Sequence, residues 1–355
     1  MDVKSLIEKK EYDFLRTDPH LARRVGLLTL GGSHAYGTNV EGSDIDMRGF
    51  ALEHKENLIG FSHFEQFTND ATDTVIYSFN KLISLLLNCN PNIIEMLGCK
   101  PEHYLMMSRV GRMLLDNKRM FLSQKAINSF GGYATAQLRR LENAIARDAL
   151  PQEKKEEHIL ASLQRSFEDF EFRYGEFPAG SAGLFTDKSS REGMETEVFI
   201  RLNVDKYPVR DFNIMLNTLS SVVRNYEKLN GRNRKKDDAH LNKHAMHLVR
   251  LYLMCFDILE NEEIVTYRER EREFLLDIRR GMFQNDDGTY RQDFFDLISE
   301  YDKRLAYDKK NTSLPPKPNM AKIEAFVMAV NQQIVEQTDD WLLKDGAVES
   351  GAYVF

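Results

Sequence analysis

Two aspartates separated by one residue, Asp44 and Asp46, follow Gly32-Ser33 after ten intervening residues. On an extended chain, residues i and i+2 share a face about 6–7 Å apart, so both carboxylates address one point. Unneutralised they repel. A hard divalent ion satisfies both, because Mg²⁺ takes oxygen ligands and is commonly held by one or two carboxylates together with substrate phosphates. The preceding Gly31-Gly32-Ser33 turn presents backbone N–H groups unobstructed by side chains, plus one hydroxyl. Such a turn suits phosphate oxygens. Taken singly, an Asp-x-Asp is an ordinary solvent-facing pair and Gly-Gly-Ser an ordinary tight turn. The succession of apolar run, glycine turn, Gly42-Ser43 and then Asp44-Ile45-Asp46 describes a phosphate clamp beside a metal clamp.

Positioning these groups requires a sheet. Val25–Leu30 is an apolar run bounded by glycine and predicts a buried strand, after which the Gly-Gly-Ser segment turns the chain into a short helix. Residues 44–50 alternate polar and apolar and predict a half-buried strand. Another is expected over 73–79, with Val75, Tyr77 and Phe79 on one face. From residue 79 the spacing becomes helical, interrupted at Asn90-Pro91-Asn92, where proline favours a new helix start. Long periodic stretches follow over 124–147, 154–172, 211–229, 238–260 and 268–280. Glycine-rich 175–191 predicts a long loop or flap, and 230–238 a second loop. The alternating Arg/Glu run 268–273 predicts a solvated helix with opposite charges at i,i+3. The fold class expected is α+β, with a catalytic domain over 1–115 and a larger, mainly α-helical domain over 116–355 that carries a loop or insertion near 175–235.

Composition bounds the rest. At 355 residues, 42% apolar and 29% charged, the chain is globular and long enough for about two domains. A net charge of −7 argues against a whole-surface attraction to polyanions, so any nucleic-acid contact must be local. Cys89, Cys99 and Cys255 show neither metal-ligand spacing nor a disulfide framework, as expected of a cytoplasmic protein. The apolar run 82–87 is far short of the ~20 residues that span a bilayer, and residues 1–12 are too charged for a signal peptide, so no membrane association is expected.

Leu30-Gly31-Gly32-Ser33 followed by Gly42-Ser43-Asp44-Ile45-Asp46 resembles the hG[GS]…DhD motif of the DNA polymerase β-like nucleotidyltransferase superfamily. Two further stretches, Asn90-Pro91-Asn92-Ile93-Ile94-Glu95-Met96-Leu97 and Lys243-His244-Ala245-Met246-His247-Leu248-Val249-Arg250-Leu251, resemble its RlaP-type branch, associated by gene context with RNA repair ligases. The likeness covers about 25–100 and 240–281. It implies a polymerase β-like catalytic domain, a mixed sheet with flanking helices, that carries out two-metal nucleotidyl transfer. In such a reaction an acceptor hydroxyl attacks the α-phosphate of a nucleoside triphosphate and pyrophosphate leaves. It implies Asp44 and Asp46 as ligands of two Mg²⁺ or Mn²⁺ ions and a third acid on a neighbouring strand. Asp73 matches that third acid by position, with Asp70 and Glu65 in reserve. RNA is the partner it favours, with an RNA end as acceptor.

Cations for the triphosphate are expected from the helical half. Lys243, His247 and Arg250 at i, i+4 and i+7 share one helix stripe, and with Gly32 and Ser33 they complete the expected nucleotide-binding set. His240, His244 and His247 have the same spacing, but zinc is disfavoured without the glutamate of a zinc-protease helix or a nearby cysteine. Arg139-Arg140 and the loop cations Arg232, Arg234, Lys235 and Lys236 are candidate polynucleotide contacts. Glu95, on an apolar helix, needs a buried partner and is expected to orient structure near the site. His34 and Tyr36 beside the serine are either nucleotide contacts or core, and Trp341 is core or an interface anchor. Two other functions fit parts of the sequence: a non-catalytic nucleotide or RNA sensor on the same fold, and a serine hydrolase using Ser33, whose Gly-Gly-Ser-His-Ala nearly matches a nucleophile elbow.

Overall fold

Six consecutive buried residues make β1 (Val25–Leu30) a strand covered on both faces, which is why its sequence is continuously apolar rather than alternating. The computed structural model describes residues 3–149, 182–188, 196–202, 238–285 and 289–344, with 160, 190 and 220 as single positions. β1 runs into the short helix α1 (Gly32–Tyr36), then β2 (Met47–Ala51), β3 (Gln66–Asn69) and β4 (Thr74–Ser78). Ser78 closes β4 and caps α2 (Phe79–Leu86), its hydroxyl accepting from Lys81 N–H at 3.2 Å. Asn90 caps α3 (Pro91–Ile94) with proline in its first turn, the interruption expected from the sequence. β5 (Tyr104–Met107) completes a sheet of order β3-β4-β2-β1-β5. β1 is antiparallel to β2 and β5, whereas β2 and β4 are parallel, so the sheet is mixed.

Helices α4 (Arg109–Asp116) and α5 (Lys125–Ala149) follow, then the hairpin β6 (Ala182–Lys188) and β7 (Thr196–Leu202) and the helices α6 (Asp238–Asn261), α7 (Arg272–Arg280), α8 (Gln292–Asn311) and α9 (Met320–Val335). The chain divides into two compact units. The first comprises 1–138, 245–282 and 293–355, and the second 139–244 and 283–292. This differs from a single cut after residue 115, because the carboxy-terminal helices pack into the same core as the sheet. One sheet face gathers Leu27, Phe50, Phe79 and Leu82 with Leu251, Ile258, Phe326 and Val330. The other gathers Leu6, Leu15, Leu28, Leu30, Met47 and Ile76.

Three expectations are corrected. The strand predicted over 44–50 begins only at Met47, leaving Asp44 and Asp46 on the loop that enters it. Part of the loop predicted over 175–191 is β6, paired antiparallel with β7 from Ala182↔Leu202 to Lys188↔Thr196, and the β-forming Val198-Phe199-Ile200 supplies its partner. The Arg/Glu run is not a solvated helix throughout. Arg268 is 3% exposed and pairs with Asp257 and Glu271, and α7 starts only at Arg272. The helices expected over 154–172 and 211–229 and the loop 230–238 lie outside the described residues except for single positions.

The contact between the sheet and α9 is aromatic. Phe79 stands 5.8 Å from Phe50 and 5.6 Å from Phe326, the latter edge-on. Phe326→Ala should therefore cost about 3–5 kcal/mol, as large-to-small aromatic changes in a core do. Urea unfolding of the full chain checks it: a loss below ~1 kcal/mol would separate α9 from the core of the sheet.

Candidate active site

The glycine turn and the second aspartate are in contact. Gly31 N–H donates to the Asp46 carbonyl at 2.8 Å, continuing the β1–β2 ladder beyond Leu30↔Met47 and setting Asp46 beside the turn. Gly32 has φ +54°, a left-handed conformation that glycine adopts without steric cost, and a Cβ there would overlap Asp46 Oδ2. The glycine is thus required twice, by its backbone and by the carboxylate lying against it. The first N–H groups of α1 lack intrahelical acceptors, and they start at this carboxylate.

Asp44 is held by its loop. Gly42, with φ +78°, closes a turn in which Ser43 N–H donates to the Val40 carbonyl at 3.0 Å and Val40 N–H to Ser43 Oγ at 2.9 Å. His34 Nε2 reaches the Ser43 carbonyl at 3.4 Å, tying α1 to the residue before Asp44. Asp44 itself is exposed. Asp73 precedes β4, and the parallel pairing Met47↔Thr74 puts it beside Asp46 at the same edge of the sheet. Its side chain is exposed and its backbone is left-handed, with φ +44°. Asp70 lies in the same turn, while Glu65 pairs with Lys81 at 3.0 Å. Arg48, which the sequence reading passed over, bridges these acids. One guanidinium nitrogen donates to the Asp73 and Met47 carbonyls, and the other lies 3.4 Å from Asp46 Oδ1. Its place two residues after Asp46 was the available signal.

Beneath the turn sits a buried polar cluster. Tyr36 hydroxyl donates to Glu95 Oε1 at 2.7 Å, Arg250 Nη1 to Glu95 Oε2 at 3.2 Å, and the Arg250 guanidinium lies 3.6 Å from the centroid of the Tyr36 ring. Thr266 hydroxyl donates to the Glu95 carbonyl at 2.5 Å. Burial raises the Glu95 carboxyl above its ordinary range, against the lowering pull of Arg250 and Tyr36. It also raises the Tyr36 hydroxyl well above its own. Glu95 therefore orients structure, as its burial demanded. Tyr36 is core.

The basic stripe is divided. Arg250, expected to face the triphosphate, is 4% exposed and committed to Glu95, since a guanidinium at that depth needs a carboxylate. His247 is half-buried, its ring edge-on to Tyr36 at 6.3 Å. Lys243 is exposed and falls in the second unit. Arg139 and Arg140 lie on α5, and Arg232, Arg234, Lys235 and Lys236 lie outside the described residues. Trp341 packs on the main core, with Arg109 5.3 Å from its ring. Two further residues hold the far end of α1. Tyr267 packs against Gly37, and Arg279 donates to the Thr38 carbonyl at 2.5 Å.

Among the described residues, no group of three His, Cys, Asp or Glu side chains is disposed to hold a metal ion. The donor set at the turn is nonetheless hard oxygen only, the chemistry a Mg²⁺ ion prefers, and such ions draw much of their shell from substrate phosphates and water. No helix among the described residues is long and apolar enough to cross a membrane.

A mixed sheet with a glycine turn after an interior strand, an acid pair leading into the neighbouring strand and, among the described residues, a mainly helical remainder is consistent with a polymerase β-like nucleotidyltransferase domain and a helical region. Residues 7–160 match the family model RlaP, described as the RNA repair pathway DNA polymerase beta family, which contains the turn, the three aspartates and the Glu95 segment. No curated protein and no solved structure matches the chain.

The buried cluster makes a quantitative demand. Glu95→Ala and Arg250→Ala should each destabilise the chain by about 3–5 kcal/mol, because each strands a buried charge. The double variant should cost clearly less than the sum. Denaturant unfolding of the four proteins measures the coupling, and strict additivity would show that the pair does not act as one.

Proposed function

We propose that the chain is a metal-dependent nucleotidyltransferase that moves a nucleoside monophosphate from a nucleoside triphosphate to a hydroxyl, with an RNA end as acceptor. The observation that carries this is the contact between Gly32 and Asp46, which makes a phosphate-binding turn and a cation-binding carboxylate one continuous surface. The RlaP match supports the reaction class and the link to RNA repair.

In this reading the N–H groups at the start of α1 and the Ser33 hydroxyl take phosphate oxygens of the triphosphate. Asp44 and Asp46 would hold Mg²⁺ or Mn²⁺, with Asp73 as the third carboxylate. A bound divalent cation supplies charge neutralisation for the attacking and leaving oxygens. In this reading Asp73 would accept the proton of the acceptor hydroxyl as its oxygen bonds to the α-phosphorus, while the α–β phosphoanhydride bond breaks and pyrophosphate leaves. Of the basic stripe, His247 remains a candidate for the nucleotide, and Arg250 serves by holding Tyr36 and therefore α1. A serine hydrolase gains no support, because the His34 ring turns to the Ser43 carbonyl.

Incubating the chain with each α-labelled nucleoside triphosphate, Mg²⁺ or Mn²⁺, and RNA tests the proposal directly: label should enter RNA. Asp44→Asn and Asp46→Asn should each abolish transfer while the chain stays folded. The first relieves repulsion, and the second weakens a partly exposed ion pair worth about 1 kcal/mol. Full turnover in both variants would remove the assignment. Ser33→Ala should raise the nucleotide KM roughly tenfold, within the ~1–3 kcal/mol of a hydrogen bond to a charged group, and an unchanged KM takes Ser33 out of the site.

A further inference from the structure

Resting on the reading that Asp46 holds a divalent cation, we infer that Arg48 is a positioning residue that fixes the Asp46 carboxylate and the Asp73 backbone relative to one another, so that both acids meet the same ions. Three sequence-distant pieces of the site converge on this one side chain. Its stem runs over the glycine turn, where a Cβ on Gly31 would come within 3.1 Å of Arg48 Cγ. Its Nη1 donates to the Asp73 carbonyl at 2.6 Å and to the Met47 carbonyl at 2.8 Å, and its Nη2 reaches Asp46 Oδ1 at 3.4 Å. The Arg48 side chain is 26% exposed, so these contacts are not those of a freely solvated surface arginine.

The geometry explains an oddity of the backbone. A non-glycine residue at φ +44° is held in a sparsely populated region, and such outliers persist where surrounding contacts over-determine them. At Asp73 those contacts are two donors on its carbonyl, Met47 N–H at 3.0 Å and Arg48 Nη1. The side chain that orients the Asp46 carboxylate therefore also locks the turn that presents Asp73. Arginine suits this because its planar fork puts two donors on separate nitrogens, while a lysine has a single ammonium.

The test is Mn²⁺ binding to the full chain without nucleotide, by isothermal titration, for wild type, Arg48→Lys and Arg48→Met, with thermal unfolding of each in chelator. Arg48→Lys keeps the charge and most of the stem, so it should unfold within a few degrees of wild type. Its Mn²⁺ affinity should nevertheless fall 10–100-fold, the usual effect of losing a partner that orients a metal ligand. Arg48→Met should fall at least as far. If Arg48→Met fails to fold, Arg48→Lys alone decides. Wild-type Mn²⁺ affinity in Arg48→Lys overturns the inference and leaves the nucleotidyltransferase reading standing, as does a lowered unfolding temperature with unchanged affinity. No Mn²⁺ binding by the wild-type chain overturns the metal reading and this inference with it.

Discussion

A carboxylate that cannot stay buried alone organises the molecule. Glu95 is nearly inaccessible, and the cost of an isolated charge at that depth far exceeds what any single apolar contact returns. It is met by Tyr36 from the helix after β1 and by Arg250 from α6, residues 59 and 155 positions away. Satisfying one buried oxygen pair thereby fixes α6 against the back of the glycine turn. The carboxy-terminal helices join the same core as the sheet through side chains such as Phe326 and Val330, although they lie far along the chain from it.

The front of the turn obeys the opposite logic. Asp44 and Asp73 are exposed, and Asp46 is only partly covered. Burying three acids near one another without cations would raise their free energy steeply, and the fold leaves them at the solvent edge. What is fixed there is backbone. Gly31 binds the Asp46 carbonyl, Met47 and Arg48 bind the Asp73 carbonyl, and the 40–43 turn leads into Asp44. Position is supplied by hydrogen bonds to main-chain carbonyls, from backbone N–H groups and from the Arg48 side chain.

Much of this was legible in the residues, and the failures have physical causes. β1, the helix start at Asn90-Pro91 and the extent of α6 followed from apolar periodicity and capping, signals local to a few residues. The partner of Glu95 was foreseen as a need and not as a residue, because nothing local says that Tyr36 and Arg250 meet. Arg250 was read as a phosphate ligand from its helix stripe. Periodicity places a side chain on a face without saying how deep that face lies, and here its depth turns a candidate ligand into a strut. The Arg/Glu run failed similarly: alternating charge suggests a solvated helix unless one member finds a buried acid, as Arg268 does with Asp257. The β6–β7 hairpin escaped because glycine-rich 175–191 was read without its β-branched partner downstream.

The commitments of the cations bear on how an acidic chain with a net charge of −7 would meet a triphosphate. Around the turn, Arg250 is committed to Glu95, Arg48 to Asp46 and two carbonyls, Arg279 to the Thr38 carbonyl, and Lys100 to the Tyr267 ring and Glu269. Each of these cations neutralises or orders the protein itself. Phosphate bound at the start of α1 would then have its charge countered mainly by backbone N–H groups and by ions held on the same acids, a division of labour in which the carboxylates attract the cations that the arginines do not provide. In the proposed reading, that balance is what would let a site for a polyanion be built around aspartates: the acids would recruit the mobile positive charge, and the arginines would keep the recruiting groups in place.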